Sequence, residues 1–113
     1  MKTIIFSTFI LFASMFQSVF ATTSHYETTT FKVYGNCEMC KSRIESALKK
    51  NTAVKSATWD AKTKMVTVEY NPHSISVDQL YQLVADAGHD TDKVKATDAS
   101  YKALPGCCKY KRA

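Results

Sequence analysis

Between Phe31 and Leu48 the spacing of apolar residues changes from two to three and four, and it changes across a single short break. Phe31-Lys32-Val33-Tyr34 alternates and is β-rich, which predicts a strand. Gly35-Asn36 breaks it. From Met39 onward Cys40, Ile44, Ala47 and Leu48 share one helical face, and Lys41, Arg43, Glu45, Lys49 and Lys50 are placed on the outside. A strand that feeds directly into an amphipathic helix must bury both apolar faces against the same partner, so the chain is committed to a layered α-and-β architecture.

The rest of the pattern repeats that unit. Val54 to Asp60 and Lys64 to Tyr70 alternate as two further strands, joined by the polar link Asp60-Ala61-Lys62-Thr63 of hairpin length. Asn71-Pro72 stops the second of them. Ser76-Val77-Asp78-Gln79 has the form of a capping box, and Val77, Leu80, Leu83, Val84 and Ala87 supply an apolar stripe behind it. Gly88 suits the left-handed residue that ends a helix. His89 to Lys95 is short and predicts a final edge strand centred on Val94. The order β-α-β-β-α-β is that of a ferredoxin-like α+β sandwich: a four-stranded antiparallel sheet with two helices on one face.

The ends carry other signals. Met1-Lys2 precedes an apolar run from Ile4 to Phe20, and Val19-Phe20-Ala21 has the small residues of a cleavage site. This is the pattern of a secretory signal, cleaved after Ala21, rather than of a membrane anchor. It predicts a protein of the periplasm or the exterior, monomeric and not inserted in a membrane after cleavage. The formal charge is +5, from 15 Lys plus Arg against 10 Asp plus Glu. Removing the signal leaves about 92 residues, enough for one small core and too few for a multi-domain enzyme. The predicted segments are a signal over 1–21, a flexible leader over 22–28, the folded domain over 29–95 and an extension over 96–113. Within the extension, Asp98 to Leu104 has room for a short helix and Pro105-Gly106 turns the chain. An exported chain without a basic–aromatic groove pattern is not expected to bind nucleic acid. The basic residues after Cys40 read as a solvated face that can also steer docking to an acidic partner.

The chemistry lies in the break. Gly35-Asn36-Cys37-Glu38-Met39-Cys40-Lys41 places Cys37 in the loop and Cys40 in the first helical turn, so both sulfurs can face one point. A helix N-terminus presents unpaired amides and partial positive charge there, which favours thiolate. Two soft thiolates suit Cu(I) or Hg(II). Zn(II) and Cd(II) fit less well, because structural zinc takes four ligands and no second C-x-x-C or His pair stands at that spacing. A two-sulfur site open on one side suits handing an ion to another thiol pair, and it suggests a metal transporter or efflux component as partner. The competing reading of the same pair is a thiol–disulfide oxidoreductase, which would cycle Cys37 and Cys40 through a disulfide.

The segment from Thr29 to Lys95 resembles the heavy-metal-associated domain, the family of copper chaperones, the metal modules of metal-transporting ATPases and periplasmic mercury-binding proteins. The resemblance rests on the C-x-x-C, on Ile44 and Leu48, on Val66-Thr67-Val68-Glu69-Tyr70 and on Ala85-Asp86-Ala87-Gly88-His89. It implies a non-enzymatic carrier with Cys37 and Cys40 as metal ligands. The signal sequence brings the periplasmic members nearest in architecture. There are departures. The family usually has Met two residues before the first Cys; here that residue is Gly35, which predicts a looser loop. Met39 is bulky and serves as a cap on the site or as a weak thioether ligand. The family often has Tyr where this chain has His89, and for His89 a third-ligand role, a tuning role and a surface turn are all open.

Cys107 and Cys108 have no counterpart in the minimal domain. Neighbouring cysteines pair with each other only under strain. Three roles remain: the tail folds back and adds thiolates to the Cys37–Cys40 site, or it is a separate acquisition site on a mobile arm, or it is an oxidised, structural or intermolecular pair. In each case Lys109, Lys111 and Arg112 are expected to lower the thiol pKa. His25 and His73 read as ordinary exposed residues.

Overall fold

The computed structural model describes residues 25–112. The proposed signal sequence and the start of the leader lie outside the described residues. Among the described residues no helix is long and apolar enough to cross a membrane.

Three strands form one antiparallel sheet in the order β1-β3-β2: β1 is Glu27–Lys32, β2 is Val54–Trp59 and β3 is Met65–Tyr70. Val66 stands between Phe31 of β1 and Trp59 of β2, and Val68 between Thr29 and Ala57. Alternate side chains point to one face of a sheet. That face buries Phe31, Val54, Ala57, Trp59, Val66, Val68 and Tyr70. Both long helices, α1 (Glu38–Lys49) and α2 (Val77–Asp86), contribute to this same core. The hairpin between β2 and β3 is closed by Asp60, whose carboxylate accepts the amides of Lys62 and Thr63.

β1 begins at Glu27, so residues 27 and 28 belong to the sheet and not to a leader. Its first four residues, Glu27 to Thr30, are polar because this part of the edge strand is largely exposed; Phe31 is the first to reach the core. Helix α1 buries Cys40, Ile44 and Leu48 as its spacing predicts. Its outer residues do more than face solvent. Lys41 pairs with Glu45 at 2.7 Å and donates to the Trp59 carbonyl at 3.0 Å, while Glu45 accepts the Trp59 amide at 3.1 Å. Together they tie α1 to the end of β2.

Helix α2 carries the capping box: Ser76 Oγ accepts the Gln79 amide at 3.2 Å, and Gln79 Oε1 accepts the Ser76 amide at 2.9 Å. The helix is rotated from the predicted stripe, with Tyr81 and Ala85 buried and Val77, Leu83 and Ala87 only half-buried. Tyr81 packs on Phe31 with ring centroids 4.3 Å apart. Gly88 follows at φ +102°, a conformation that L side chains rarely adopt.

The predicted fourth strand does not form. The chain touches the end of β1 through one bridge, Val33 with Thr91, flanked by the Tyr34 amide to the Asp90 carbonyl at 2.8 Å. Thr91 then closes a turn: its amide donates to the Val94 carbonyl, and its hydroxyl accepts the Val94 amide at 2.8 Å. Local side-chain bonding of this kind competes with a sheet ladder. The turn redirects the chain into the extension, which contains α3 (Asp98–Lys102) and a 3-10 turn at Gly106–Cys108.

Candidate metal centre

Cys37 is the N-cap of α1, with extended backbone at φ −143° and ψ −178°. Its sulfur makes no cap hydrogen bond of ordinary length. The amides of Cys40 and Met39 nevertheless face it and hold its thiol below the usual thiol range. One turn on, Cys40 is fully buried and its sulfur accepts the Asn36 amide at 3.3 Å. The two sulfurs stand 3.9 Å apart.

The space beneath the loop is filled. Gly35 is buried, and a Cβ there would lie 3.1 Å from Cys40 Cβ and 3.1 Å from the Trp59 ring. The Trp59 indole, held by a 3.0 Å bond from Nε1 to the Val33 carbonyl, occupies the room that a side chain at 35 would need. Trp59 reads in the sequence as one alternating strand residue; its place under the loop depends on the sheet register and leaves no local signal.

The extension reaches this site. Cys108 is fully buried, and its sulfur joins those of Cys37 and Cys40 in a group whose members all lie within 4.8 Å of one another. Cys107 is outside that group: it is exposed, with its sulfur 3.3 Å from Met39 Sδ and 4.0 Å from Cys108 Sγ. All four cysteines are free thiols. The expectation that basic neighbours lower the tail thiol pKa is corrected for Cys108. Burial, reinforced by the adjacent Cys40 and Cys107 sulfurs, pushes that thiol up to about 12. Arg112 is engaged elsewhere, on Asp90, Asp98 and the Ala96 carbonyl.

His89 is no surface residue. It is fully buried, with Nδ1 2.8 Å from the Tyr34 carbonyl and Nε2 without a partner. The Tyr110 ring lies over it at 5.5 Å. Burial lowers its pKa. Among the described residues the compact donor group is made of cysteines alone, and His89 is not in it. Met39 is half-exposed beside Cys107, while His25 and His73 are exposed as their sequence context suggests.

The heavy-metal-associated domain matches residues 30–90, more than half of the chain. The chain belongs to that family. Curated relatives in the family include a copper chaperone CopZ from Staphylococcus haemolyticus, 36% identical over 55 residues, covering 49% of this chain and 81% of the chaperone. A copper-exporting P-type ATPase from Staphylococcus saprophyticus is 36% identical over 81 residues, or 69% of this chain. The chain spans only 10% of that ATPase's length. Among solved structures, oxidised MerP from Ralstonia metallidurans CH34 superimposes with a TM-score of 0.57 at 26% identity, covering 60% of this chain and 96% of that one. The heavy-metal-associated match ends at residue 90, short of the extension that carries Cys107 and Cys108.

Proposed function

We propose that this chain is an exported carrier of a soft metal ion, Cu(I) first and Hg(II) as the alternative cargo, held by Cys37 and Cys40. The observation that carries the reading is the pair of sulfurs 3.9 Å apart at the start of α1, within a heavy-metal-associated fold. Soft thiolates select soft ions, and the helix amides favour the charged form of Cys37. The copper names of the staphylococcal relatives favour Cu(I). Delivery proceeds by stepwise exchange: a partner thiolate attaches as one of this chain's sulfurs leaves, with no change in the ion's oxidation state. The partner is a metal transporter or efflux component, and the basic residues of α1 favour an acidic docking face. The signal-like residues 1–21 support export to the periplasm or exterior.

The competing reading is a dithiol that cycles oxidised and reduced, and oxidised MerP among the fold neighbours gives it an observation of its own. Native mass spectrometry of the reduced protein, titrated anaerobically with Cu(I), Hg(II) and Zn(II), separates the two. The carrier reading expects one soft ion per chain, lost in Cys37→Ser and in Cys40→Ser. Absence of tight binding, together with a reversible Cys37–Cys40 disulfide that exchanges with other protein disulfides, would sink it.

A further inference from the structure

We propose that Cys108 is a third thiolate of the ion site, so that the C-terminal extension closes a two-sulfur exchange site into a three-sulfur one and leaves Cys107 outside. The proposal rests on the reading that Cys37 and Cys40 hold a soft ion, and adds a ligand to it.

The first argument is geometric. Two metal–sulfur bonds of ~2.3 Å in line hold their sulfurs about 4.6 Å apart, whereas three in a plane hold them about 4.0 Å apart. Cys37 and Cys40 stand 3.9 Å apart, and Cys108 completes a set with every separation within 4.8 Å. The second argument is the opposite fate of two neighbouring cysteines. Cys108 is fully buried among sulfurs, while Cys107 is exposed against Met39. A tail that merely carried a surface thiol pair would have no reason to bury one of them beside Cys40.

The third argument is that the extension is fastened on both sides of Cys108. Before it, Leu104 is buried and packs against Gly88: a Cβ built at residue 88 would lie 2.9 Å from Leu104 Cδ2. After it, the buried Tyr110 donates its hydroxyl to the Gly88 carbonyl and accepts the Asp90 amide, and Tyr101 donates to the Tyr110 carbonyl at 2.6 Å. Arg112 holds both oxygens of Asp90 at 2.9 Å and reaches Asp98 at 2.8 Å. A bidentate, charge-assisted pair of this kind is directional as well as strong. Cys108 is therefore positioned by contacts that need no metal.

The chemistry balances simply. As the Cys108–metal bond forms, the thiol proton goes to solvent. On delivery a partner thiolate bonds to the ion, the Cys108–metal bond breaks, and Cys108 takes a proton back. No electron moves. The third sulfur stabilises the resident ion against small competitors and is the first to yield to a partner that displaces the extension.

The test is X-ray absorption at the metal edge on the chain from Thr22 onward, reduced and loaded with one equivalent of Cu(I) and, separately, Hg(II). Three sulfurs are expected around the ion in the parent and in Cys107→Ser, and two in Cys108→Ala and Cys108→Ser. Competition against a chelator should show the Cys108 variants losing the ion about tenfold or more readily. Cys108→Ala keeps the pocket apolar, and its far-ultraviolet circular dichroism checks that the fold persists. Two sulfurs in the parent, or Cys108 variants indistinguishable from it, overturn this proposal while the carrier reading stands. A parent that binds neither ion overturns both.

Discussion

The phenol hydroxyl of Tyr110 is wedged against the turn that begins at Gly88, accepting the Asp90 amide at 2.7 Å and donating to the Gly88 carbonyl at 2.9 Å. One side chain from the extension thus satisfies two buried backbone groups of the family domain. Removing the oxygen leaves both without a partner. Tyr110→Phe is expected to cost about 1–3 kcal/mol, read from urea denaturation. The same variant should let Cys108 react with a thiol reagent faster than in the parent. Unchanged labelling would mean that Tyr110 is not what keeps the extension docked.

Acid should loosen the protein in two separate stages. His89 is buried, and its pKa lies below its ordinary value of 6.5. A base that resists protonation only when folded leaves stability intact above 6.5 and erodes it as pH falls below, where the unfolded chain takes up the proton. For Asp90, burial pulls its pKa up, but the Arg112 guanidinium and the Ala96 amide outweigh it and hold the carboxyl below its ordinary 3.8. Its contribution is complete above 3.8 and is lost as pH falls through the lower folded value. Denaturation midpoints followed from neutral to strongly acid pH check this. His89→Gln should flatten the first stage; Asp90→Asn should remove the second and also lower the His89 pKa further, because the Asp90 charge otherwise raises it.

Gly88→Ala should separate the extension from the domain. The new methyl would lie 2.7 Å from the Ser100 carbonyl oxygen, on a residue at φ +102°. Backbone strain of that kind costs about 1–3 kcal/mol. Amide hydrogen exchange should rise across α3 and the 3-10 turn, while β1, β2 and β3 stay protected. Equal loosening of both regions would contradict it.

Trp59→Ala should damage the ion site without touching a sulfur. It removes a large buried side chain, at a cost of about 3–5 kcal/mol, and frees the room beneath Gly35 and Cys40. Denaturation measures the first effect. The second should appear as weaker retention of Cu(I) against a chelator at a temperature where the variant is still folded.

What was legible in the sequence was local. The capping box at Ser76 and Gln79, the helix starting after Cys37 and the left-handed Gly88 each depend on a few consecutive residues, and each is present. The first half of β1 was hidden because Thr28, Thr29 and Thr30 pair along an edge without burying anything apolar. The fourth strand was over-read from Val94, since the hydroxyl of Thr91 favours a turn that apolar spacing does not register. The anchoring of the extension was invisible for a different reason. Asp90 and Arg112 are 22 residues apart, and nothing in either neighbourhood marks the other as its partner. Spacing likewise cannot say which of two adjacent cysteines turns inward.

The three clustered sulfurs come from residues 37, 40 and 108. The first two emerge early in synthesis; the third arrives last, with the arginine that fastens it following at 112. A chain stalled on the ribosome, or clipped by a protease before that point, displays the familiar cysteine pair yet lacks the third sulfur. The three-sulfur cluster is in that sense a late product of synthesis, available only once the stretch from Cys108 to Arg112 has joined the fold.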